Sequence, residues 1–90
     1  MTKAVLTVIG IDRVGITARI STCLAEANIN ILDISQTIMQ NIFTMVMLVD
    51  LSKSTKDIDV ITEELNKISA ELGLNTQLQH VDVFNSMHRI

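Results

Sequence analysis

Residues 28–51 read NINILDISQTIMQNIFTMVMLVDL, and this stretch decides the fold. It holds two runs of strand-forming residues separated by Gln40 and Asn41, and Asn tolerates the left-handed backbone that a tight turn requires. Before the turn the residues alternate, which predicts a half-polar strand with Ile31, Asp33, Ser35 and Thr37 on one face and Leu32, Ile34, Gln36 and Ile38 on the other. After the turn, IFTMVMLVDL is almost continuously apolar, as in a strand covered on both faces. The two runs form a hairpin in the middle of the chain.

Toward the N-terminus the period changes. Ile16, Ile20, Cys23, Leu24 and Ala27 recur at helical spacing, with Thr17, Arg19, Ser21, Thr22 and Glu26 turned away from that stripe, and this predicts a helix over about residues 14–27. Before it, KAVLTVI (residues 3–9) is apolar on both faces and predicts a strand at the centre of a sheet. Toward the C-terminus, SKSTKD offers Ser52, Ser54 and Thr55 as helix caps. Ile58, Ile61, Leu65, Ile68 and Leu72 then make the stripe of a second helix, which Gly73 ends. NTQLQHVDVF (residues 75–84) reads as a last, half-polar strand before the short tail NSMHRI (residues 85–90). Val83, Phe84, Met87 and Ile90 would share one side of a terminal helical turn.

The order is βαββαβ over one domain spanning residues 1–90, with 85–90 as its tail. It predicts an α+β, ferredoxin-like sandwich: a four-stranded antiparallel sheet with both helices on one face. The apolar first and third strands belong at the centre and the half-polar second and fourth at the edges, which is the strand order 4-1-3-2.

Composition narrows what such a domain does. Seven Lys and Arg stand against ten Asp and Glu, a net charge of −3, so no broad positive field draws nucleic acid or an anionic membrane. The apolar runs are too short to span a bilayer and the first residues do not form a signal peptide, so the expected location is the cytoplasm. Cys23 is the one cysteine; it lies on an apolar helical stripe and reads as packing. Met39, Met45 and Met47 read as core or interface filling. At 90 residues the surface buried on folding is modest, so pairing with a second copy would help.

The fold hosts unrelated functions, and the residues of the site discriminate among them. A metallochaperone of this shape needs thiolates in its first loop, and that loop has none. An RNA-binding domain needs aromatics on its central strands, where only Phe43 comes near the role. His80, Asp82 and His88 do not have the spacing of a metal-ligand motif, and no local motif suggests a catalytic group. An acylphosphatase-like hydrolase would use an arginine in the first loop, and Arg13 keeps that alternative open. A ligand-independent interaction module is a second alternative, motivated by the half-polar edge strands and the VFNSMHRI segment.

DRVGITARISTCLAEANINI (residues 12–31) resembles the ACT-domain signature, in which a D-R-P-G-like turn opens the first helix and a short N-I segment begins the second strand. The whole chain, including its MHRI ending, is similar to short stand-alone ACT-domain proteins of bacteria and archaea. The resemblance implies a non-catalytic regulatory module that works as a homodimer, joined through edge strands. Such a module binds a small molecule, usually an amino acid, between its two copies, needs no cofactor, and passes its output to another protein. It implies ligand contacts from the turn after the first strand and from the asparagine opening the second, here Asp12 and Asn30. Val14 stands in place of the usual proline. Asp12 and Gly10 stand where serine-binding relatives carry asparagine and histidine, so serine specificity does not transfer.

The turn itself allows two physical readings. Gly15 permits a positive φ or a close approach, and the first amides of the helix, around Gly15, Ile16 and Thr17, lack intrahelical partners and favour an anion such as a carboxylate. Asp12 can accept hydrogen bonds from a ligand ammonium, Asn30 can donate and accept, and Arg13 offers a cation. In the other reading Asp12 caps the helix, Gly15 serves close packing of helix on sheet, Asn28 and Asn30 end the helix, and Arg13 is a solvated surface charge.

Overall fold

The structure, a computed structural model, describes residues 2–82. Six elements follow in the expected order: β1 (Lys3–Ile11), α1 (Ile16–Glu26), β2 (Asn30–Met39), β3 (Ile42–Asp50), α2 (Ile58–Leu72) and β4 (Leu74–His80). The sheet is antiparallel throughout, with strand order β2-β3-β1-β4. The most apolar strands therefore do lie at the centre.

The core lies between the sheet and its helices. Ala4, Leu6 and Val8 of β1 and Phe43, Met45, Met47 and Val49 of β3 occupy alternate positions and so share one face of the sheet. Against them pack Ile16, Ile20, Cys23 and Leu24 of α1 and Ile61, Leu65 and Ile68 of α2. Both helices thus cover the same face. Side chains of this size each contribute about 1.5–3 kcal/mol on full burial, and an aliphatic stripe at helical spacing is what fixes each helix to the sheet. Among the described residues no helix is long and apolar enough to cross a membrane.

Three local readings are corrected. The first helix begins at Ile16 rather than near residue 14, because Gly15 sits at its N-cap with φ 93° and ψ −1°, a conformation that ends regular structure on that side. The second helix begins at Ile58 after Asp57 at its N-cap, with no side-chain cap bond. Ser54 does not cap it; its hydroxyl donates to the Lys56 carbonyl at 2.7 Å and accepts from the Lys56 amide at 3.2 Å, building the preceding turn. The last strand ends at His80, and Val81 and Asp82 are already helical. Val83, Phe84, Met87, His88 and Ile90, and with them the expected terminal helical turn and the tail 85–90, lie outside the described residues.

The alternation expected along β2 also breaks at one point. Ile31 pairs with Val49 and Asp33 with Leu48, so Leu32 is an extra residue and the register shifts there. One inserted residue exchanges the two faces beyond it. Ile31 therefore joins the helix-bearing side, where it packs on the core. Ile34, Gln36 and Ile38 lie on that side as well, opposite Met47, Met45 and Phe43.

Candidate functional site

The β1–α1 turn is held from below by the sheet. Ile11 is the last paired residue of β1, opposite Ile42, and the next amide, that of Asp12, donates to the Asn41 carbonyl at 2.7 Å. Gln40 and Asn41 both have positive φ, 48° and 71°, as a two-residue hairpin turn of the primed type requires. The turn after β1 is therefore fastened to the tip of the β2–β3 hairpin. Gly10 lets it settle there: a Cβ on Gly10 would come within 2.7 Å of Leu74 Cδ2 and 3.0 Å of the Gly73 carbonyl oxygen. Gly73 itself closes α2 in the left-handed conformation, φ 68°.

This geometry separates the two readings of the turn. Asp12 does not cap α1, since the cap position is Gly15 and no side chain bonds there. Gly15 does not serve close packing either, because a Cβ would meet nothing within 4 Å; its requirement is the positive φ. The Asp12 carboxylate is exposed. Inside the helix the Arg19 amide is the one that bonds back to the Gly15 carbonyl, at 2.9 Å, so the amides of Ile16, Thr17 and Ala18 precede the first helical hydrogen bond. No acidic residue lies in the first turn of α1, so those donors have no carboxylate from the helix itself to complement the positive end of the dipole.

The other expected residues are placed as follows. Ile16 is buried, 2% exposed, and belongs to the core beneath the helix, so its side chain is not presented to a ligand. The Arg13 guanidinium reaches the Glu71 carbonyl in the last turn of α2 at 3.5 Å, a weak bond at the end where that helix has unpaired carbonyls. Asn28 ends α1 as a left-handed residue, φ 58°, and its side-chain amide donates to the Lys53 carbonyl at 3.0 Å. Asn30 opens β2 opposite Asp50 and lines a cleft with Ala25, Asn28, Ile29, Asp50 and Lys53.

Asn30 and Asp12 therefore stand at opposite ends of the sheet. Asn30 is level with Asp50 and Lys3, while Asp12 follows Ile11, and eight residue steps along β1 span about 26 Å. One chain does not bring the pair together. Asp50 and Lys53, which flank Asn30, escaped the sequence reading, and so did Asn41 as the acceptor for Asp12. Their signal was weak, because each lies in a turn and acts through backbone or through register. The Ser52 amide donates to Asp50 Oδ1 at 3.0 Å and holds that carboxyl below the usual carboxylate range.

A second cleft runs between the helices, lined by Arg19, Cys23, Glu26, Glu64, Lys67 and Glu71 among others. Its charges are mostly paired: Arg19 Nη2 with Glu71 Oε2 at 2.6 Å and Lys56 Nζ with Glu64 Oε1 at 2.7 Å. Cys23 Sγ donates to Glu64 Oε2 at 3.6 Å. Burial, and then the carboxylate it donates to, push the Cys23 thiol up to about 11. Such a thiol is a poor nucleophile, as its place on the apolar stripe suggested. Among the described residues no group of three or more His, Cys, Asp and Glu side chains is disposed to hold a metal ion.

Comparison with known proteins agrees with this architecture. The family model of the ACT domain matches residues 2–79. A UPF0237 protein of Methanopyrus kandleri is 54% identical over 90 residues, the full length of both chains. An ACT domain protein from Streptococcus pneumoniae superposes with a TM-score of 0.78 at 35% identity, covering 92% of this chain and 93% of that one. The ligand-free regulatory subunit of aspartate kinase from Thermus thermophilus superposes with a TM-score of 0.66 at 28% identity, and the match covers 86% of this chain and 49% of the subunit. With its family model matched almost from end to end and this fold beneath it, the chain belongs to the ACT domain family.

Proposed function

We propose that the protein is a non-catalytic regulatory module that binds a small metabolite, an amino acid by preference, between two copies of itself. The observation that carries this reading is the β1–α1 turn. Uncapped amides at the start of α1 suit a ligand carboxylate, and the exposed Asp12 carboxylate suits its ammonium. The turn is pinned to Asn41, so little ordering is left for a ligand to impose. Asn30 joins this site only from a neighbouring chain, since within one chain it lies at the far end of the sheet. The structural likeness to a regulatory subunit of aspartate kinase supports a regulatory role. For the hydrolase alternative, the contact made by the Arg13 guanidinium is a weak one to the Glu71 carbonyl of α2, which gives it no support.

A thermal-shift screen against amino acids tests this. Ligand at 100 times its Kd adds about 2.7 kcal/mol to stability, which is readily seen in a domain of this size. Asp12→Ala and Asn30→Ala should each abolish the shift. A shift that survives both substitutions would move the site elsewhere, and the absence of any shift would favour the ligand-independent interaction module, for which the exposed β2 edge is the motivating feature.

A further inference from the structure

The two central strands are apolar on both faces, and the helices cover only one of them. On the other face β1 presents Val5, Thr7, Ile9 and Ile11, and β3 presents Ile42, Thr44, Val46 and Leu48, none of them charged. The outer strands flank this stripe with polar residues, Asp33, Ser35 and Thr37 on β2 and Asn75 and Gln77 on β4. An antiparallel sheet that faces water usually carries polar residues on that side, and a contiguous apolar area with a polar rim marks a surface that another segment covers.

The stripe is not evenly open. Along β1 exposure falls from 64% at Ile11 and 49% at Ile9 to 8% at Val5, and β3 follows it from exposed Ile42 to half-buried Leu48. Val5 is as buried as Ile68 of the core, although it points away from both helices. It pairs with Leu48 on one side and Gln79 on the other, one step from His80, where the chain leaves the sheet.

We infer that residues 83–90 cover this end of the open face, with their apolar side laid across β1 and β3 of the same chain. Val83, Phe84, Met87 and Ile90 recur at helical spacing, and the backbone has already turned helical at Val81 and Asp82. The reach matches the sheet. A helix rises 1.5 Å per residue, which puts Phe84 and Met87 about 6 and 10 Å beyond His80. With strands 4.7–4.9 Å apart, β1 and β3 lie about 5 and 10 Å from β4. Phe84 then meets Val5, and Met87 meets Leu48. The opposite face has no room for the segment, because α1 and α2 already fill it. The match to the ACT domain ends at residue 79, so this cover lies beyond the shared domain. A segment so placed is not a free arm for another protein. The apolar surface it leaves open is Ile9, Ile11 and Ile42, beside the β1–α1 turn.

Solution NMR of the full chain with labelled phenylalanine rings and Val and Leu methyls tests this, because Phe43 and Phe84 are the only phenylalanines. Phe43 lies on the helix-bearing face opposite Gly10, so its ring reports on the core alone. The Phe84 ring should show nuclear Overhauser contacts to the methyls of Val5 and Leu48 and shift them upfield. Phe84→Leu should abolish both signals while the Phe43 contacts persist, which shows that the variant is folded. Phe84 contacts to residues of the helix-bearing face, or no contacts at all, would overturn the inference. Contacts seen only between differently labelled chains in a mixed sample would overturn it too, by assigning the cover to a second copy.

Discussion

The Asp12 amide donates to the Asn41 carbonyl at 2.7 Å, and this bond fastens the turn after β1 to the tip of the β2–β3 hairpin. It is made by backbone alone, so the Asp12 side chain can be removed without cutting it. Asp12→Ala should therefore leave the melting temperature of the free protein nearly unchanged while removing the stabilisation by ligand. Asp12→Pro, which lacks the amide, should cost about 1–3 kcal/mol in chemical denaturation. Equal destabilisation by the two variants would show that the carboxylate, not the backbone bond, holds the turn.

Two glycines bound this turn for different reasons, and alanine separates them. Gly15 has open space around it but φ 93°, so Gly15→Ala should destabilise by about 1–2 kcal/mol through backbone strain. Gly10 lies 2.7 Å from Leu74 Cδ2 and 3.0 Å from a backbone oxygen, measured from where a Cβ would stand. Gly10→Ala should cost about 1–3 kcal/mol through overpacking. Leu74→Ala in the same chain should recover part of the Gly10→Ala loss and none of the Gly15→Ala loss, which a double-mutant cycle by urea denaturation would measure.

The hairpin turn carries strain that substitution should relieve. Gln40 and Asn41 both have positive φ, and the pair best suited to such a turn is Asn-Gly. Replacing Gln40 with Asn and Asn41 with Gly should raise stability by a few tenths to about 1 kcal/mol, read as a higher denaturant midpoint at unchanged slope. A lower midpoint would mean that the Asn41 side chain makes a contact worth more than the strain.

Much of this was legible in the chain because pattern and topology agree. The apolar character of residues 3–9 and 42–51 located the central strands, and Ile16, Ile20, Cys23 and Leu24 located the face of α1. What escaped was governed by single residues. Nothing in the alternation of NILDISQTIM marks Leu32 as a bulge, since either phase leaves a half-polar strand; burial of Ile31 against the core decides it. Asp12 has the residue type of a helix cap, but Gly15, three residues on, takes that place by its backbone. That Asp12 of one copy would meet Asn30 of its neighbour is the expectation; the structure adds that α1 carries the chain from one end of the sheet to the other, so the two do not meet within one chain.

Cys23 makes the last prediction, and its sign is fixed by burial. Its thiol is pushed up to about 11 from 9.0, so the folded protein holds that proton more tightly than the unfolded chain. The associated stability is fully present below pH 9.0 and is lost as the pH rises toward about 11. Two pK units mean roughly a hundredfold less thiolate at a given pH below the ordinary thiol range, so alkylation of native protein near neutral pH should be slower than that of a cysteine peptide by at least this factor. Glu64→Gln removes the charge that opposes the thiolate and should speed the reaction. Lys56, already raised by its bond to Glu64, would then be free to favour the thiolate. Denaturation midpoints of wild type and Cys23→Ala compared from pH 8 to pH 11 isolate the effect from the lysines that titrate in the same range, because their contribution is common to both proteins. The wild type should lose stability with pH more steeply than the variant; parallel curves would mean that the thiol is no better shielded when folded than when unfolded.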